Sequence, residues 1–490
     1  MLAAGGGRIG SPGETLEAQQ LVAAGLTLLR RSAPLVRALS GKRSAILLPT
    51  SPAFLTALAA SDGRGAVLIN PLAAPAEIAF QCADANVGAL FTSSALAERA
   101  PPGLPMVVLD DVPRVARVIA DGRTRDVDLG SHHGLALELE PHADGRDEEA
   151  VIVYTSAMRG TPLGAVLTHA NLLANARSTV RAAGNVAGDH VLALLPFTHL
   201  FGLTVAGTAP MLDGARVTTM ERFNPATAAE LLASDVTEIV GVPVVFHALL
   251  SALARRGVRP SDVMLRVAIC GGAILPRELQ DRWADATGVE LREGYGLTEA
   301  GPVCLFNRVD AQNARGSLGT PYPCVDVGIF PPANYSQEPD ALPVDSPMRA
   351  DGVPGEICVR GANVFRGYLG GKSGLPRRGE WLCTGDAGVR EADGTFRFLG
   401  ILKPMFTRNG FNIYPRELER AVSEMPGVVR CEVSSLPDPV KENEIRLRVW
   451  GAVGEADVKR WCEARLSVYK QPSVIEIVAE APTQPQPSRG

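Results

Sequence analysis

The chain has 490 residues, of which 46% are hydrophobic and 21% are charged, and its formal net charge is −5. This length exceeds what one hydrophobic core supports, so we expect two or more domains. The charge excludes a general attraction to nucleic acid or to an anionic membrane surface. No apolar run approaches the ~18 residues that a membrane span needs. Residues 1–15 lack the charge and apolar pattern of a secretory signal, and we predict a flexible lead-in there.

The eight cysteines are widely spaced and include no C-x-x-C pair. This spacing favours reduced thiols over a disulfide framework or a zinc site. We therefore predict a cytoplasmic protein.

Short apolar runs alternate with helix-length segments between residue 44 and about residue 300. Such alternation predicts parallel sheets covered by helices, in which ligands bind where strands end and loops diverge. The predicted strands are residues 45–48, 66–69, 89–91, 106–109, 151–154, 191–195, 238–242 and 267–270, and the helices include 52–60, 171–182, 225–233 and 276–286.

The pattern changes after Pro321, where short, turn-bounded strands predict a small antiparallel sheet or barrel. Two helices and three strands then follow the region near Leu402 and predict a compact α+β unit. The predicted fold is therefore α/β. A large N-terminal domain (16–402) contains stacked, mostly parallel sheets and a barrel-like subdomain, and a small C-terminal cap domain covers 403–490.

Residues 291–302, LREGYGLTEAGP, lead from a predicted strand into a glycine turn. Gly296 permits close approach of the backbone to a ligand. Tyr295 supplies a flat apolar face, Thr298 a hydroxyl group, and Glu299 a hard oxygen ligand suited to Mg²⁺. Taken alone, the pattern also fits an ordinary glycine-rich surface turn.

A second stretch, YTSAMRGTPLGA at 154–165, follows a buried strand and precedes a helix. The hydroxyl groups of Thr155 and Ser156 and the backbone at Gly160 could bond phosphate oxygens near a helix N-terminus. The stretch LPFTHLFGL then places His199 at a strand end, where a packed strand-to-helix turn is the alternative interpretation.

Three further stretches contain candidate functional residues. In CGGAILP, the exposed backbone at Gly272 and Ala273 could lie against a flat base. In WLCTGD, Asp386 follows a tight turn and is suited to paired ribose hydroxyls, although a lone TGD is more often a plain turn. In RNGFNIYPRELE, Gly410 lies in a flexible turn ahead of a helix that begins with proline.

Together these stretches resemble the adenylate-forming superfamily, which includes acyl- and aryl-CoA synthetases, amino-acid adenylation domains and luciferases. The resemblance covers about residues 40–480 and keeps the family's order and intervals. It is carried by the motifs YTS…GTPLGAVLTH, LPFTHLFGL, GGAILP, EGYGLTEAGPV, GEICVRG, TGD and RNGFNIYPRELE.

The resemblance implies a two-step reaction. A carboxylic acid reacts with ATP to give an acyl-adenylate and pyrophosphate, and the mobile C-terminal domain then rotates. A thiol, either CoA or the pantetheine arm of a carrier protein, next attacks the acyl carbon. By position, Gly272 and Ala273 would flank adenine, Tyr295 would stack on it, and Asp386 would bind the ribose.

The same resemblance implies the reacting groups. Thr298 would bond the α-phosphate, and Glu299 would hold Mg²⁺. His199 would line the acyl pocket near the reacting carbonyl, and Gly410 would lie in the turn that the rotated domain brings to the thiol tunnel.

Several motif positions depart from the family. Residues 157–159 replace a Gly-Thr-Thr core, and Leu163 replaces the phosphate-loop lysine. Ile401 replaces the hinge arginine, and Pro404, which fixes φ near −65°, replaces an acid at the pivot. The tail at 481–490 lacks the lysine that serves adenylation in the family.

In the family, the residues missing here serve ATP's outer phosphates and the adenylation transition state. The residues that remain would bind AMP and an acyl group. Three hypotheses follow. The chain is a working acid–thiol ligase with a divergent phosphate site, a non-catalytic relative, or a half-reaction enzyme that passes a preformed acyl group to a thiol or amine.

Overall fold

The fold is described from a computed structural model of the chain. The structure describes residues 6–61, 65–130, 147–155, 160–333, 335 and 348–478. Ser156, the divergent loop core at 157–159 and the tail at 481–490 therefore lie outside the described residues.

Helices and strands alternate through most of the described chain. The first half contains β1 (Arg8–Ser11), β2 (Glu14–Glu17), α1 (Ala18–Arg31), α2 (Ala33–Leu39), β3 (Arg43–Leu47), α3 (Pro52–Ala60), β4 (Ala66–Leu68), α4 (Pro75–Asp84), β5 (Val87–Thr92), β6 (Met106–Leu109), β7 (Val115–Ala120), β8 (Arg123–Asp128), β9 (Glu149–Thr155), β10 (Leu163–Thr168), α5 (His169–Ala183), β11 (His190–Ala193), α6 (Ala209–Leu212), β12 (Arg216–Thr219), α7 (Pro225–Leu232) and β13 (Glu238–Gly241).

The remaining elements are α8 (Pro243–Arg256), β14 (Val267–Gly271), α9 (Arg277–Thr287), β15 (Leu291–Gly296), β16 (Val303–Phe306), β17 (Thr320–Pro321), β18 (Val325–Phe330), β19 (Gly355–Gly361), β20 (Gly367–Tyr368), β21 (Arg377–Arg378), β22 (Trp381–Arg390), β23 (Phe396–Ile401), β24 (Phe406–Arg408), β25 (Phe411–Ile413), α10 (Pro415–Ser423), β26 (Val428–Asp438), β27 (Glu442–Gly451), α11 (Glu455–Arg465) and β28 (Val474–Val478).

Two large sheets dominate the described residues, each with nine strands. Their orders are β17-β16-β15-β14-β13-β11-β12-β1-β2 and β20-β10-β9-β4-β3-β5-β6-β7-β8. Neighbouring strands run parallel from β1 through β12, β11, β13 and β14 to β15 in the first sheet, and from β9 through β4, β3 and β5 to β6 in the second. One hydrophobic core, which includes Phe54, Phe197 and Phe306, contacts both sheets. The predicted α/β class with mostly parallel sheets is confirmed.

Smaller sheets follow. Strands β18, β19, β21, β22 and β23 form an antiparallel five-stranded sheet, in the place of the predicted barrel-like subdomain. The C-terminal region has a core of its own, containing Ile413, Leu418, Val433 and Leu447. The predicted boundary at 402/403 falls between β23 and β24 and stays a prediction.

The start of the chain corrects one prediction. Within residues 1–15, where a flexible lead-in was expected, β1 pairs in parallel with β12 through Ile9 and Val217, and Ile9 is fully buried. The glycine-rich composition concealed this strand, because its pairing partner lies about 200 residues away in the chain. None of the described helices is long and apolar enough to cross a membrane.

The phosphate-loop stretch does not directly precede a helix as predicted, because it leads into β10, which pairs antiparallel with β9. Local sequence signals then position α5 after β10. Thr168 Oγ1 accepts a hydrogen bond from the Asn171 N–H at 3.2 Å, and Asn171 Oδ1 accepts one from the Thr168 N–H at 2.9 Å. This reciprocal cap satisfies two donors at the helix start. The helix ends at Gly184, whose φ of 63° is left-handed and favours glycine.

Candidate active site

A cavity of about 1290 Å³ lies where the carboxyl ends of several strands meet the C-terminal region. Every predicted site residue that the structure describes lines this cavity. They are Thr155, Gly160, His199, Gly272, Ala273, Tyr295, Gly296, Thr298, Glu299, Asp386 and Gly410. The fold thus brings together residues that span more than 250 positions of the sequence.

The parallel register of the first sheet explains part of this convergence. Strands β14 and β15 pair so that Gly271 lies opposite Gly294, and the chain leaves both strands at the same edge of the sheet. At the end of β15, a Cβ on Gly296 would lie 1.9 Å from the Pro302 carbonyl oxygen. Only glycine fits this turn, which carries the chain from Tyr295 to Thr298.

The predicted base-stacking and ribose-binding residues are in direct contact. The Tyr295 hydroxyl donates a hydrogen bond to Asp386 Oδ2 at 2.7 Å, although the two residues lie 91 positions apart. Burial and the nearby Asp386 carboxylate raise the pKa of Tyr295 well above its usual value, so the phenol keeps the proton that it donates. The aromatic face and the carboxylate thus form one wall of the cavity.

Lys403 completes this wall and was not predicted as a site residue. Its Nζ lies 3.6 Å from Asp386 Oδ1, and its side chain is 8% exposed. Burial alone would lower the pKa of Lys403, but Asp386, Tyr414 and Glu299 outweigh it and raise the pKa above its usual value. The lysine therefore stays charged. It lies between Ile401 and Pro404 of the hinge, so its position next to those two residues was the available signal for it.

The predicted metal ligand, Glu299, is buried in the cavity wall. Its Oε1 accepts hydrogen bonds from Thr155 Oγ1 at 3.2 Å and from the Tyr368 hydroxyl at 2.8 Å. These two donors orient the carboxylate, which offers the hard oxygen that Mg²⁺ prefers. Tyr368 was not predicted either, because it lies in a short edge strand that matches none of the quoted motifs.

His199 faces the cavity at the start of the segment that becomes a π-helix at Phe201–Thr208. The Phe201 N–H donates to His199 Nδ1 at 3.2 Å, so the neutral ring carries its proton on Nε2. His199 is exposed to solvent in the cavity. The many protein atoms around the ring nevertheless desolvate it, and this desolvation lowers the pKa of His199 below its usual value. The imidazole is therefore neutral near pH 7 and can donate from Nε2.

Apolar residues also line the cavity. They include Leu195, Phe201, Val242, Val245 and Leu275. Side chains of this kind accommodate an aliphatic or aromatic acyl group.

The C-terminal region reaches the cavity through the turn between β24 and β25. Asn409 and Gly410 both have positive φ there, 51° and 77°. A Cβ on Gly410 would lie 3.2 Å from Val242 Cγ1, so glycine permits the close approach of the turn to the end of β13.

The divergent motif positions differ in their surroundings. Leu163 is 9% exposed and packs in the shared core as the first residue of β10. Ile401 is exposed and pairs with Asp386 between β22 and β23. Pro404 is exposed. All three side chains are uncharged, so none of them can replace the charged group found at its position in the family.

A two-region α/β fold with this cavity at the strand ends defines a protein of the adenylate-forming type. The model of the family described as "AMP-binding enzyme" matches residues 33–369. The chain therefore belongs to the AMP-binding enzyme family.

Two similar proteins and one similar solved structure are named as acid–CoA synthases or ligases. A feruloyl-CoA synthase of Amycolatopsis sp. is 30% identical over 462 residues, covering 90% of this chain and 86% of the relative. A long-chain-fatty-acid–CoA ligase of Bacillus subtilis (strain 168) is 27% identical, covering 90% and 83%. A malonyl-CoA ligase, solved as a ternary product complex with methylmalonyl-CoA and AMP, superposes with a TM-score of 0.77 at 26% identity, covering 99% and 98%.

Proposed function

We propose that the protein is an ATP-dependent acid–thiol ligase of the acyl-CoA synthetase type. A carboxylate oxygen of the acid attacks the α-phosphorus of ATP, the bond to the β-phosphate oxygen breaks, and pyrophosphate leaves. A thiolate then attacks the acyl carbon, the bond to the phosphate oxygen breaks, and AMP leaves. The thiol belongs to CoA or to the pantetheine arm of a carrier protein.

The observation that carries this proposal is the Tyr295–Asp386 hydrogen bond in the same cavity as Glu299 and His199. A flat ring beside a carboxylate suits the base and ribose of AMP. In the proposed site, the exposed backbone at Gly272 and Ala273 lies against the other face of the base. Asp386 accepts from the ribose hydroxyl groups.

The reacting groups lie nearby. Thr298 would donate to an α-phosphate oxygen, and Glu299 would hold Mg²⁺, which would supply positive charge to the phosphates. His199 lines the cavity and, when neutral and protonated on Nε2, is proposed to donate to the acyl carbonyl. Thr155 and the backbone at Gly160 are proposed to bind the outer phosphates, and Ser156, which lies outside the described residues, is assigned there by its motif position alone.

The apolar residues that line the cavity support an apolar monocarboxylic acid as the substrate. Phe201, Val242 and Val245 offer contacts to an apolar chain or ring, whereas a second carboxylate would need a cationic partner there. We therefore propose a monocarboxylic acid with an aliphatic or aromatic body as the substrate. The cysteines are free thiols, including Cys358 and Cys383, whose Sγ atoms lie 3.5 Å apart, and free thiols support action in the cytosol.

Acid-dependent exchange of labelled pyrophosphate into ATP tests the proposal. A panel of aliphatic, aryl and dicarboxylic acids should give exchange with apolar monocarboxylic acids in particular. Thioester formation with CoA and with a pantetheinylated carrier protein then identifies the acceptor. Absence of exchange with every acid would contradict the proposed ligase.

A half-reaction enzyme is the second candidate, and the burial of Leu163 favours it. An uncharged residue packed in the core at the phosphate-loop lysine position leaves adenylation without one cation. Such an enzyme would bind a stable acyl-adenylate mimic and transfer a preformed acyl group, yet give no pyrophosphate exchange. A non-catalytic relative would neither exchange pyrophosphate nor bind the mimic, so calorimetry with the mimic separates the two.

A further inference from the structure

A buried ion cluster joins the C-terminal region to the rest of the chain. Lys470 Nζ lies 2.6 Å from Glu417 Oε1 in α10 and 2.9 Å from Glu77 Oε1 in α4. Ser467 Oγ also donates a hydrogen bond to Glu77 Oε2. The side chains of Lys470, Glu417 and Glu77 are only 6%, 7% and 13% exposed. Since α4 follows β4 of the second large sheet, the cluster spans the two regions of the chain.

The charges of the cluster favour one relative position of these regions. Burial alone would lower the pKa of Lys470, but Tyr469 and the two carboxylates raise it above its usual value, so the lysine stays charged. A buried ion pair adds little net stability compared with apolar packing, whereas a charge that stays buried without its partner is strongly destabilising. The cluster therefore discriminates between arrangements, because it penalises any that buries a carboxylate away from the lysine.

The segment that carries Lys470 also supports the Gly410 turn. Arg408 Nη1 donates hydrogen bonds to the backbone carbonyl oxygens of the two residues on either side of Lys470, at 3.1 and 3.0 Å. The rings of Phe411 and Tyr469 stack with their centroids 4.2 Å apart. Lys470 and the Gly410 turn thus belong to one bonded unit within the C-terminal region.

That unit meets the rest of the chain at two places. The Gly410 backbone closely approaches Val242, which directly follows β13, and both residues line the cavity. Lys470 meets Glu77 at the second place. A rotation of the C-terminal region would separate both contacts together. The ion cluster and the placement of Gly410 at the cavity therefore belong to the same orientation.

We propose that Glu77 and Lys470 are positioning residues that hold the Gly410 turn at the cavity while the thiol attacks. In the proposed reaction this turn reaches the cavity after pyrophosphate has left, so the cluster serves thioester formation and not adenylation. The inference rests on the proposed ligase and names the contact that selects the orientation for its second step.

Charge reversal in the full-length protein tests this assignment. Glu77→Lys or Lys470→Glu brings like charges together in the cluster, so thioester formation from CoA and a prepared acyl-adenylate should slow roughly 100-fold. Acid-dependent pyrophosphate exchange should stay unchanged, because adenylation does not use this contact. The double variant restores opposite charges and should regain most of the thioester rate.

Exposed residues of the same two regions provide matched controls. Glu98→Lys and Lys459→Glu should change neither rate, since both residues are exposed and neither lines the cavity. Glu77 also accepts a hydrogen bond from the Ala74 N–H at the start of α4, and Lys470→Glu leaves that bond intact. Agreement between the two single variants therefore excludes damage to α4 as the cause. Circular dichroism shows that each variant is folded.

Hydrogen–deuterium exchange measures the contact without any activity. Amides of α4 and of residues 406–413 should exchange faster in each single variant than in the wild type or the double variant, whereas those of α5 should not change. Equal thioester rates and equal hydrogen exchange in the wild type and the single variants would overturn the proposal, as would an equal loss in both half-reactions.

The same measurements separate this proposal from the proposed function. A wild type that forms thioester from the prepared acyl-adenylate but gives no pyrophosphate exchange would overturn the ligase alone. A wild type that catalyses neither step would also overturn the ligase, and the hydrogen exchange of the variants would then decide whether the cluster holds the turn.

Discussion

Two walls of the cavity are built in different ways. The wall with Tyr295, Glu299 and Asp386 joins the end of β15 and the turn that follows it to β22 of the five-stranded sheet, and the Tyr295 hydroxyl bonds Asp386. A second wall joins the phosphate loop at Gly160 to α10 of the C-terminal region. The first wall keeps the family's motif residues, whereas the second has lost several of them.

This difference shows where a sequence can change without destroying a site. A wall built by one region of the chain cannot easily lose a binding residue, because no side chain from another region lies there to replace it. In a wall shared between two regions, a charged side chain can come from either region. The contact of Arg420 with Thr161 illustrates this second arrangement.

The largest effect is expected from breaking the ion cluster behind the shared wall. Lys470→Ala leaves the buried carboxylates of Glu77 and Glu417 without their cation, which should cost about 3–5 kcal/mol. Urea unfolding followed by tryptophan fluorescence measures the change. Lys459→Ala, at an exposed lysine of α11, is the control and should change little. Equal unfolding free energies for the two variants would contradict the structural importance of the cluster.

Removing the metal ligand tests the first of these two walls. Glu299→Gln keeps acceptor oxygen for Thr155 and Tyr368 but loses the negative charge, so acid-dependent pyrophosphate exchange should fall roughly 10²–10³-fold. Raising the Mg²⁺ concentration should restore part of the rate. Glu278→Gln changes an exposed glutamate and should leave the rate unchanged. A fully active Glu299→Gln variant would remove Glu299 from the mechanism.

The pH dependence of stability tests whether the Glu293 carboxyl, which lines the same cavity, is shielded from water. Burial raises the pKa of Glu293 from 4.5 to about 7. The unfolded chain releases this proton near pH 4.5, so the stabilisation present at low pH is lost as pH rises from about 4.5 to 7. At about 1.4 kcal/mol per pKa unit, Glu293→Gln should gain on the order of 3 kcal/mol relative to wild type across this window. A pH-independent difference in unfolding free energy would refute the buried, protonated state.

Asp386→Ala tests the ribose assignment. It removes a carboxylate that bonds Tyr295 and faces Lys403, and affinity for an AMP mimic should weaken by about 1–3 kcal/mol. Calorimetry measures this change, with Asp326→Ala in the same small sheet as an exposed control. Unchanged affinity would mean that the ribose does not contact Asp386.

Tyr295→Phe should have the smallest effect. The ring remains available for stacking, while the hydrogen bond to Asp386 is lost, so AMP-mimic affinity should weaken by about 0.5–1.5 kcal/mol. Tyr295→Leu, which also removes the ring, should weaken binding further. If both variants bind equally well, the ring does not stack on the base.

Much of the fold and the site was predictable because the signals are local. Alternating strand and helix patterns gave the mostly parallel sheets, and predicted helix 52–60 agrees with Pro52–Ala60. Glycine-containing motifs marked the cavity residues Gly272, Tyr295 and Asp386, although Asp386 lies within β22 and not after the predicted tight turn. The N-terminal strand β1 and the contribution of Tyr368 were missed, because neither segment carries a local pattern that indicates its partner.

The sequence by itself determined which residue types follow each strand, since turn chemistry and hydrophobic periodicity act over a few neighbouring residues. Only the tertiary structure decided that Lys403 lies beside Asp386, that Lys470 joins Glu77 to Glu417, and that Arg420 reaches Thr161. The last of these contacts spans 259 positions of the chain. Pairings over such distances arise from the packing of whole sheets and helices, which no local pattern encodes.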